Sequence, residues 1–299
     1  MTCACFIAPL QTVEAQWGAN YFPNYTVTAH NGKKFRFYDD LIKDKIVVIN
    51  FIYTTCTDIC GLQSARMALI QDRLADRLGK DLFIYSISLD PKRDTPSALK
   101  DYASAFSPRP GWLFLTGEPS EVHKIRFKLG ERSRKLSEHR SYAVLGNGRT
   151  GEWSRTSMMK DIPLFVEEVL EMDPEFRNKR RKPSRMSKRT VRRLSRQLAS
   201  QTGQALFVKA CAACHNIGGG IRVGPDLAGI TERRSIGWLK QYISRPTRMR
   251  AKKDPIALEL RRKYRNVLMP YLGLSEKDAS DVLNYIRVQT LDWRKSTSR

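Results

Sequence analysis

The chain has 299 residues, 41% of them hydrophobic and 9% aromatic, enough for about two domains with cores of their own and too much for wholesale disorder. No apolar run approaches the roughly 20 residues a membrane-spanning helix needs, and six cysteines are too few for a disulfide-built scaffold of this size. A formal charge of +23 raises nucleic-acid binding first, but no helix-turn-helix, zinc-finger or aromatic RNA-binding motif accompanies it, so no nucleic acid is expected.

Residues 1–16 hold a short apolar patch, Ala4–Leu10, with no Lys or Arg ahead of it. This is a poor secretory signal, read as the remnant of a signal or anchor that starts upstream. Cys3 and Cys5 lie inside it and receive no role. Residues 17–172 read as one α/β domain. Tyr25–Leu41 alternates around Asn31-Gly32, a favoured hairpin turn. Lys45–Thr55 and Asp81–Asp90 are continuous apolar runs typical of strands buried on both faces, with an amphipathic helix from about Ile59 to Leu78 between them. Asp94-Thr95-Pro96 opens another helix, with a capping side chain before a proline at the first helical position. The strand GWLFLTG, the helix Glu118–Leu129 and the strand SYAVLGNG follow. Alternation of this kind predicts a three-layer domain with a mostly parallel sheet.

Charge then changes abruptly. Residues 1–172 carry a net +3, residues 173–200 a net +9 and residues 201–299 a net +11. The segment 173–200 reads as a solvated linker extended by self-repulsion. After it the pattern is purely helical over 201–292, with helices at Gln204–Ala213, Ile236–Ile243 and Ser275–Gln289, and a short tail at 293–299. Such a basic half suits docking to an acidic electron-transfer partner or an anionic surface.

Two cysteine pairs carry the chemistry. Cys211-Ala212-Ala213-Cys214-His215 is C-x-x-C-H, the spacing at which two thiols add to the vinyl groups of haem and the adjoining histidine reaches iron. No second cysteine pair or further histidine follows to complete a zinc site. Val223-Gly224-Pro225-Asp226-Leu227 and Met269-Pro270 add to this, and together the region resembles a class I cytochrome c domain. That resemblance implies one covalent haem c on Cys211 and Cys214, with His215 and Met269 as axial ligands. It prefers Met269 over Met249, which reads as core.

Cys56-Thr57-Asp58-Ile59-Cys60 lies where a buried strand gives way to a helix, a place that favours thiolates. C-x-x-x-C suits two soft ligands on one copper(I) ion. Taken alone, it equally fits a disulfide oxidoreductase or two buried thiols. NFIYTTCTDIC, SISLDPKRDTPSALKDYASAF and the stretch His139–Asn147 through Trp153 resemble the Sco/SenC family, thioredoxin-fold proteins that deliver copper to cytochrome c oxidase. The resemblance implies one copper ion held by Cys56, Cys60 and His139, with Asp58 and Asp90 tuning the site. Gly61 departs from the proline common in the family. His30 and His123 read as structural, and Met158 and Met159 as packing.

The combined expectation is a copper metallochaperone for the binuclear copper centre of cytochrome c oxidase, carrying a haem for one-electron transfer, periplasmic or membrane-anchored. Its partner would be the oxidase copper-site subunit or another copper or thiol protein. Two alternatives stay open: a thiol-disulfide oxidoreductase that uses Cys56 and Cys60 as its dithiol, and a redox sensor.

Overall fold

The computed structural model describes residues 17–180, 202–264 and 267–297. The N-terminal segment 1–16 and most of the basic linker lie outside the described residues.

The first domain is built on a seven-stranded sheet in the order β2-β1-β5-β4-β3-β6-β7. Strands β1 (Thr26–Ala29) and β2 (Lys34–Arg36) form the expected hairpin, with Gly32 at φ 82° in its turn. The second run is shorter than its alternation indicated. Phe37–Leu41 winds into helix α1 because the Asn24 side chain accepts from the Tyr38 and Asp39 amides, and Asp40 accepts from that of Arg36.

Strand β3 (Ile46–Ile52) is buried along its whole length and alternates between two cores. Ile46, Val48 and Ile52 face one side; Val47, Ile49 and Phe51 face the other. Helices α2 (Cys60–Arg73) and α3 (Pro96–Ser104) cover the first side. Helix α4 (Pro119–Lys128) joins α1 on the second. The expected three layers follow directly from that two-sided strand.

The sheet is mixed rather than mostly parallel. Only β3 with β4 (Leu82–Ser88) and β4 with β5 (Trp112–Gly117) run parallel. Hairpins account for two of the antiparallel pairings, β1 with β2 and β6 (Tyr142–Asn147) with β7 (Glu152–Ser157), since short loops can only reverse the chain. Strand β7 and helix α5 (Ile162–Glu171) were not anticipated; α5 adds Phe165 and Val169 to the core beside α2.

The linker also begins later than its charge implied. Pro174–Arg180 is helix α6, anchored by a two-pronged Arg177–Glu152 ion pair at 2.7 Å. Like the rest of a basic tract it attracts counter-charge, and here the sheet edge supplies it.

The second domain starts at α7 (Thr202–Leu206), which passes into a π-helical turn, Phe207–Cys211. Helices α8 (Ile230–Arg233), α9 (Ile236–Ser244), α10 (Pro246–Ala251) and α11 (Pro255–Lys263) follow. Ser275 and Asp278 exchange side-chain and backbone hydrogen bonds of 2.9 and 3.1 Å, a capping box that starts α12 (Glu276–Thr297). This helix runs through most of the stretch 293–299 expected to be a tail. Val282, Leu283 and Ile286 on α12 close a small core with Phe207, Cys211 and Leu239. Among the described residues no helix is long and apolar enough to cross a membrane.

Candidate metal and haem sites

Because β3 and β4 are parallel and in register, Ile52 opposite Ser88, their carboxyl ends leave the sheet on the same edge. That edge is where open α/β sheets place their ligands, and the Cys56–Cys60 loop leaves from it. Asp94 fastens the loop. It is fully buried and accepts from the Thr54 amide at 3.1 Å, the Thr54 hydroxyl at 2.6 Å and the Ser88 hydroxyl at 2.6 Å. Burial pushes its carboxyl above the usual range, opposed by those hydrogen bonds. Asp90, by contrast, turns to Arg93 at 3.1 Å. The sequence offered Asp94 only as part of a helix start, and its buried role had no local signal.

Cys60 opens α2 and is buried; Cys56 is half-buried. No side chain caps this helix, so its first amides are free to face the thiols. The Cys56 thiol is pushed down to about 6, chiefly by a hydrogen bond from Cys60 and with help from the Cys60 and Asp58 amides and Tyr53, against the opposing effect of burial. Cys60 moves the other way: it keeps its proton, bonded to the Cys56 thiolate in an apolar surrounding. Tyr53 is likewise held neutral by burial and by its bond to Cys56.

The third expected ligand arrives from far along the chain. His139 Nε2 lies 3.4 Å from Cys60 Sγ. Its ring meets Tyr53 edge to face at 6.1 Å between centroids, and Gln63 on α2 donates to Ser141 at 2.9 Å, holding the histidine loop against the helix. Burial lowers the His139 pKa, favouring the neutral imidazole that a metal requires. Its Nδ1 is buried without a hydrogen-bond partner. Thus Cys56, Cys60 and His139 share one corner of the fold, although no three His, Cys, Asp or Glu side chains among the described residues converge into a closed metal cage. Tyr53 is a neighbour that sequence reasoning passed over. Of the histidines read as structural, His30 accepts from the Phe114 amide at 3.3 Å and His123 contacts Arg126; Met158 is fully buried packing.

The second pair lines a cavity of about 380 Å³ together with His215, Pro225, Met269 and Leu283. Burial pushes Cys211 and Cys214 up to about 12, so these two are neutral thiols, unlike Cys56. His215 Nδ1 lies 2.8 Å from the Pro225 carbonyl; donating there leaves Nε2 as the free nitrogen. Gly224 makes room for the ring, since a Cβ there would stand 2.5 Å from His215 Cε1. Asp226 organises this loop by accepting from the Gly218, Gly220 and Ala228 amides. On another wall Arg250 donates to the Met269 carbonyl at 3.0 Å, fixing the methionine loop. Met249 packs with Tyr242 and Ala257 and does not line the cavity.

Sheet and helices together therefore define a thioredoxin-like dithiol protein that carries a helical C-x-x-C-H domain. Comparison with known families identifies both halves: residues 13–145 match the SCO1/SenC family and residues 200–290 the Cytochrome c family. The chain is a fusion of a SCO1/SenC domain with a cytochrome c domain. It is similar to a SCO2-like protein of Rickettsia conorii, 32% identical over 105 residues, which are 35% of this chain and 49% of that protein. The chain thus spans about half the length of such relatives. Among solved structures it is similar to yeast Sco1 with copper bound, at 25% identity and a TM-score of 0.42 over 52% of this chain and 93% of that one. Another is BsSco, described as a member of the Sco family of cytochrome c oxidase assembly proteins, at 25% identity and a TM-score of 0.43 over 52% and 95%.

Proposed function

We propose that this chain is a copper metallochaperone for the binuclear copper centre of cytochrome c oxidase, holding one copper ion through Cys56, Cys60 and His139. The observation that carries the reading is the 3.4 Å approach of His139 Nε2 to Cys60 Sγ. Disulfide exchange between two thiols does not require an imidazole beside them, whereas a copper ion held by two sulfurs gains a third ligand from it. Two sulfurs and one nitrogen form a soft donor set suited to copper. The SCO1/SenC match over residues 13–145 supports the same assignment.

The second domain would hold haem c, with Cys211 and Cys214 as the attachment points and His215 and Met269 as axial ligands. Support comes from the cavity these four side chains line, the His215–Pro225 hydrogen bond and the space left by Gly224. Bound haem supplies a one-electron couple, matched to copper and not to a two-electron disulfide. The residues themselves orient the imidazole, present the thioether and exclude water. Arg233, Arg234, Arg261 and Lys263 line the same cavity and supply positive charge for carboxylate groups on its ligand. Covalent haem and oxidase copper both belong outside the bacterial cytoplasm, so the proposed location is periplasmic, with or without an anchor.

One observation favours a second reading. The opposite displacements of Cys56 and Cys60 are those of an attacking thiolate and a protonated partner, as thiol-disulfide exchange needs. The deciding experiment is copper stoichiometry on haem-loaded, thiol-reduced protein beside His139→Ala and Cys56→Ala. One tightly held copper per chain, lost in both variants, supports the metallochaperone. Copper binding indifferent to His139 assigns the protein to dithiol exchange.

A further inference from the structure

The two domains meet at the cysteine motif itself. Ala213, between the two C-x-x-C-H cysteines, is 2% exposed and belongs to the core cluster of the thioredoxin-like domain, with Cys214, Val223, Val267 and Leu272 packed against it. Leu62, two residues beyond Cys60, forms part of the wall of the cavity that holds His215. Arg66, one turn further along α2, is 3% exposed and donates to the Met158 carbonyl at 2.6 Å, to the Lys160 carbonyl, and to the Lys209 carbonyl of the second domain at 3.3 Å. Such a guanidinium is a polar pin across an otherwise apolar contact.

Gly61 on α2 faces Val267 of the second domain. A Cβ on this residue would stand 2.7 Å from Val267 Cγ1, so a larger side chain can be accommodated only if that methyl, or the segment of the second domain that carries it, shifts. Gly61 occupies the second position of α2, where proline is well tolerated by the helix. Local helix chemistry therefore does not call for glycine here; the approach of Val267 favours it.

What the docked domain leaves open is a cleft of about 700 Å³. Thr54, Thr55, Cys56 and Thr57 line one side, and Leu258, Arg261, Arg262 and Leu268 line the other. An ion or a small thiol can enter such a space. A folded protein cannot reach Cys56 through it, because α11 and the Val267–Leu268 segment stand in the way.

We infer that the face of the thioredoxin-like domain bearing Cys56 and Cys60 is a docking surface for the chain's own cytochrome domain, with Gly61 as the residue that lets it seat, and that a protein target gains the motif only when this contact opens. The inference rests on the proposed function only in taking Cys56 and Cys60 as the working pair.

The test uses the full chain, haem-loaded and thiol-reduced, with Cys3→Ser and Cys5→Ser so that Cys56 is the reactive thiol. Labelling rates are compared for N-ethylmaleimide and for a maleimide bearing a long polyethylene glycol chain. In the parent the bulky reagent is expected to lag by at least about tenfold, because it waits for the open form. Val267→Asp and Gly61→Pro should bring the two rates together and raise the radius of gyration in solution scattering. Val267→Ala added to Gly61→Pro should restore the lag. Far-ultraviolet circular dichroism and the haem spectrum report folding of each variant independently. Equal reagent ratios in the parent and in folded Val267→Asp would overturn the inference. Copper stoichiometry on the same proteins separates the two ideas: a lag abolished by Val267→Asp in protein that binds no copper keeps the docking surface and removes the metallochaperone.

Discussion

His139 Nε2 and Cys60 Sγ stand 3.4 Å apart although 79 residues separate them. The sheet closes that distance: β3 lies between β4 and β6, so the loop leaving β3 and the loop entering β6 meet at one corner. Removing the imidazole tests the pairing. His139→Ala should weaken copper binding by at least about tenfold, or 1.4 kcal/mol, while thiol titration still counts both Cys56 and Cys60. Competition against a copper(I) chelator reads the first quantity and a colorimetric thiol assay the second.

Asp94 is a stability prediction. Asp94→Ala strips partners from the Thr54 amide, the Thr54 hydroxyl and the Ser88 hydroxyl, all in buried or half-buried positions. Leaving them unpaired should cost about 3 kcal/mol, and denaturant unfolding of the full chain would show it. Since the bonds anchor the strand end that leads to Cys56, alkylation of that thiol should also become less uniform.

For the haem domain, the buried Met249 and the partly buried Met269 should behave differently. Met269 lines the cavity and Met249 does not. Met269→Leu is expected to lower the reduction potential by on the order of 100 mV. Met249→Leu should leave the potential in place, whereas Met249→Ala should destabilise the domain by about 2–5 kcal/mol. Spectroelectrochemistry and thermal melts distinguish these outcomes.

Asp226 makes acid sensitivity specific. Burial opposes its ionisation, but the Ala228, Gly218 and Gly220 amides hold its pKa below the usual carboxylate value. A carboxylate depressed in the folded state contributes stability above its unfolded pKa of about 3.9 and loses it as pH falls through the folded value. Melting temperature measured downward from pH 6 should therefore fall below about pH 4 in the parent, and Asp226→Asn should flatten that part of the curve.

Much of the architecture was legible in the residues because it depends on local pattern. Continuous apolar runs marked β3 and β4, Thr95-Pro96 marked the start of α3, and Ser275 with Asp278 marked the start of α12. Strand direction was less legible, since an apolar run looks alike whether its neighbour is parallel or antiparallel. Helix α6 was hidden by composition: Pro174–Arg180 looks like the rest of a basic tract until Arg177 finds Glu152 across the fold.

What the sequence determined alone was chemistry at short spacing. C-x-x-C-H and C-x-x-x-C each place two sulfurs within a turn or so of helix, and no tertiary contact is needed to see the pairing. The tertiary structure decided which distant groups join them. Asp94 fastening Thr54, and Tyr53 bonded to Cys56, became visible only once parallel strands shared an edge. The same holds for Gly61, read from the chain as a departure at the helix start and found in the fold to be the space into which Val267 packs. Local pattern reports what a segment can do by itself, whereas a gap left by a missing Cβ acquires meaning only from the residue that fills it.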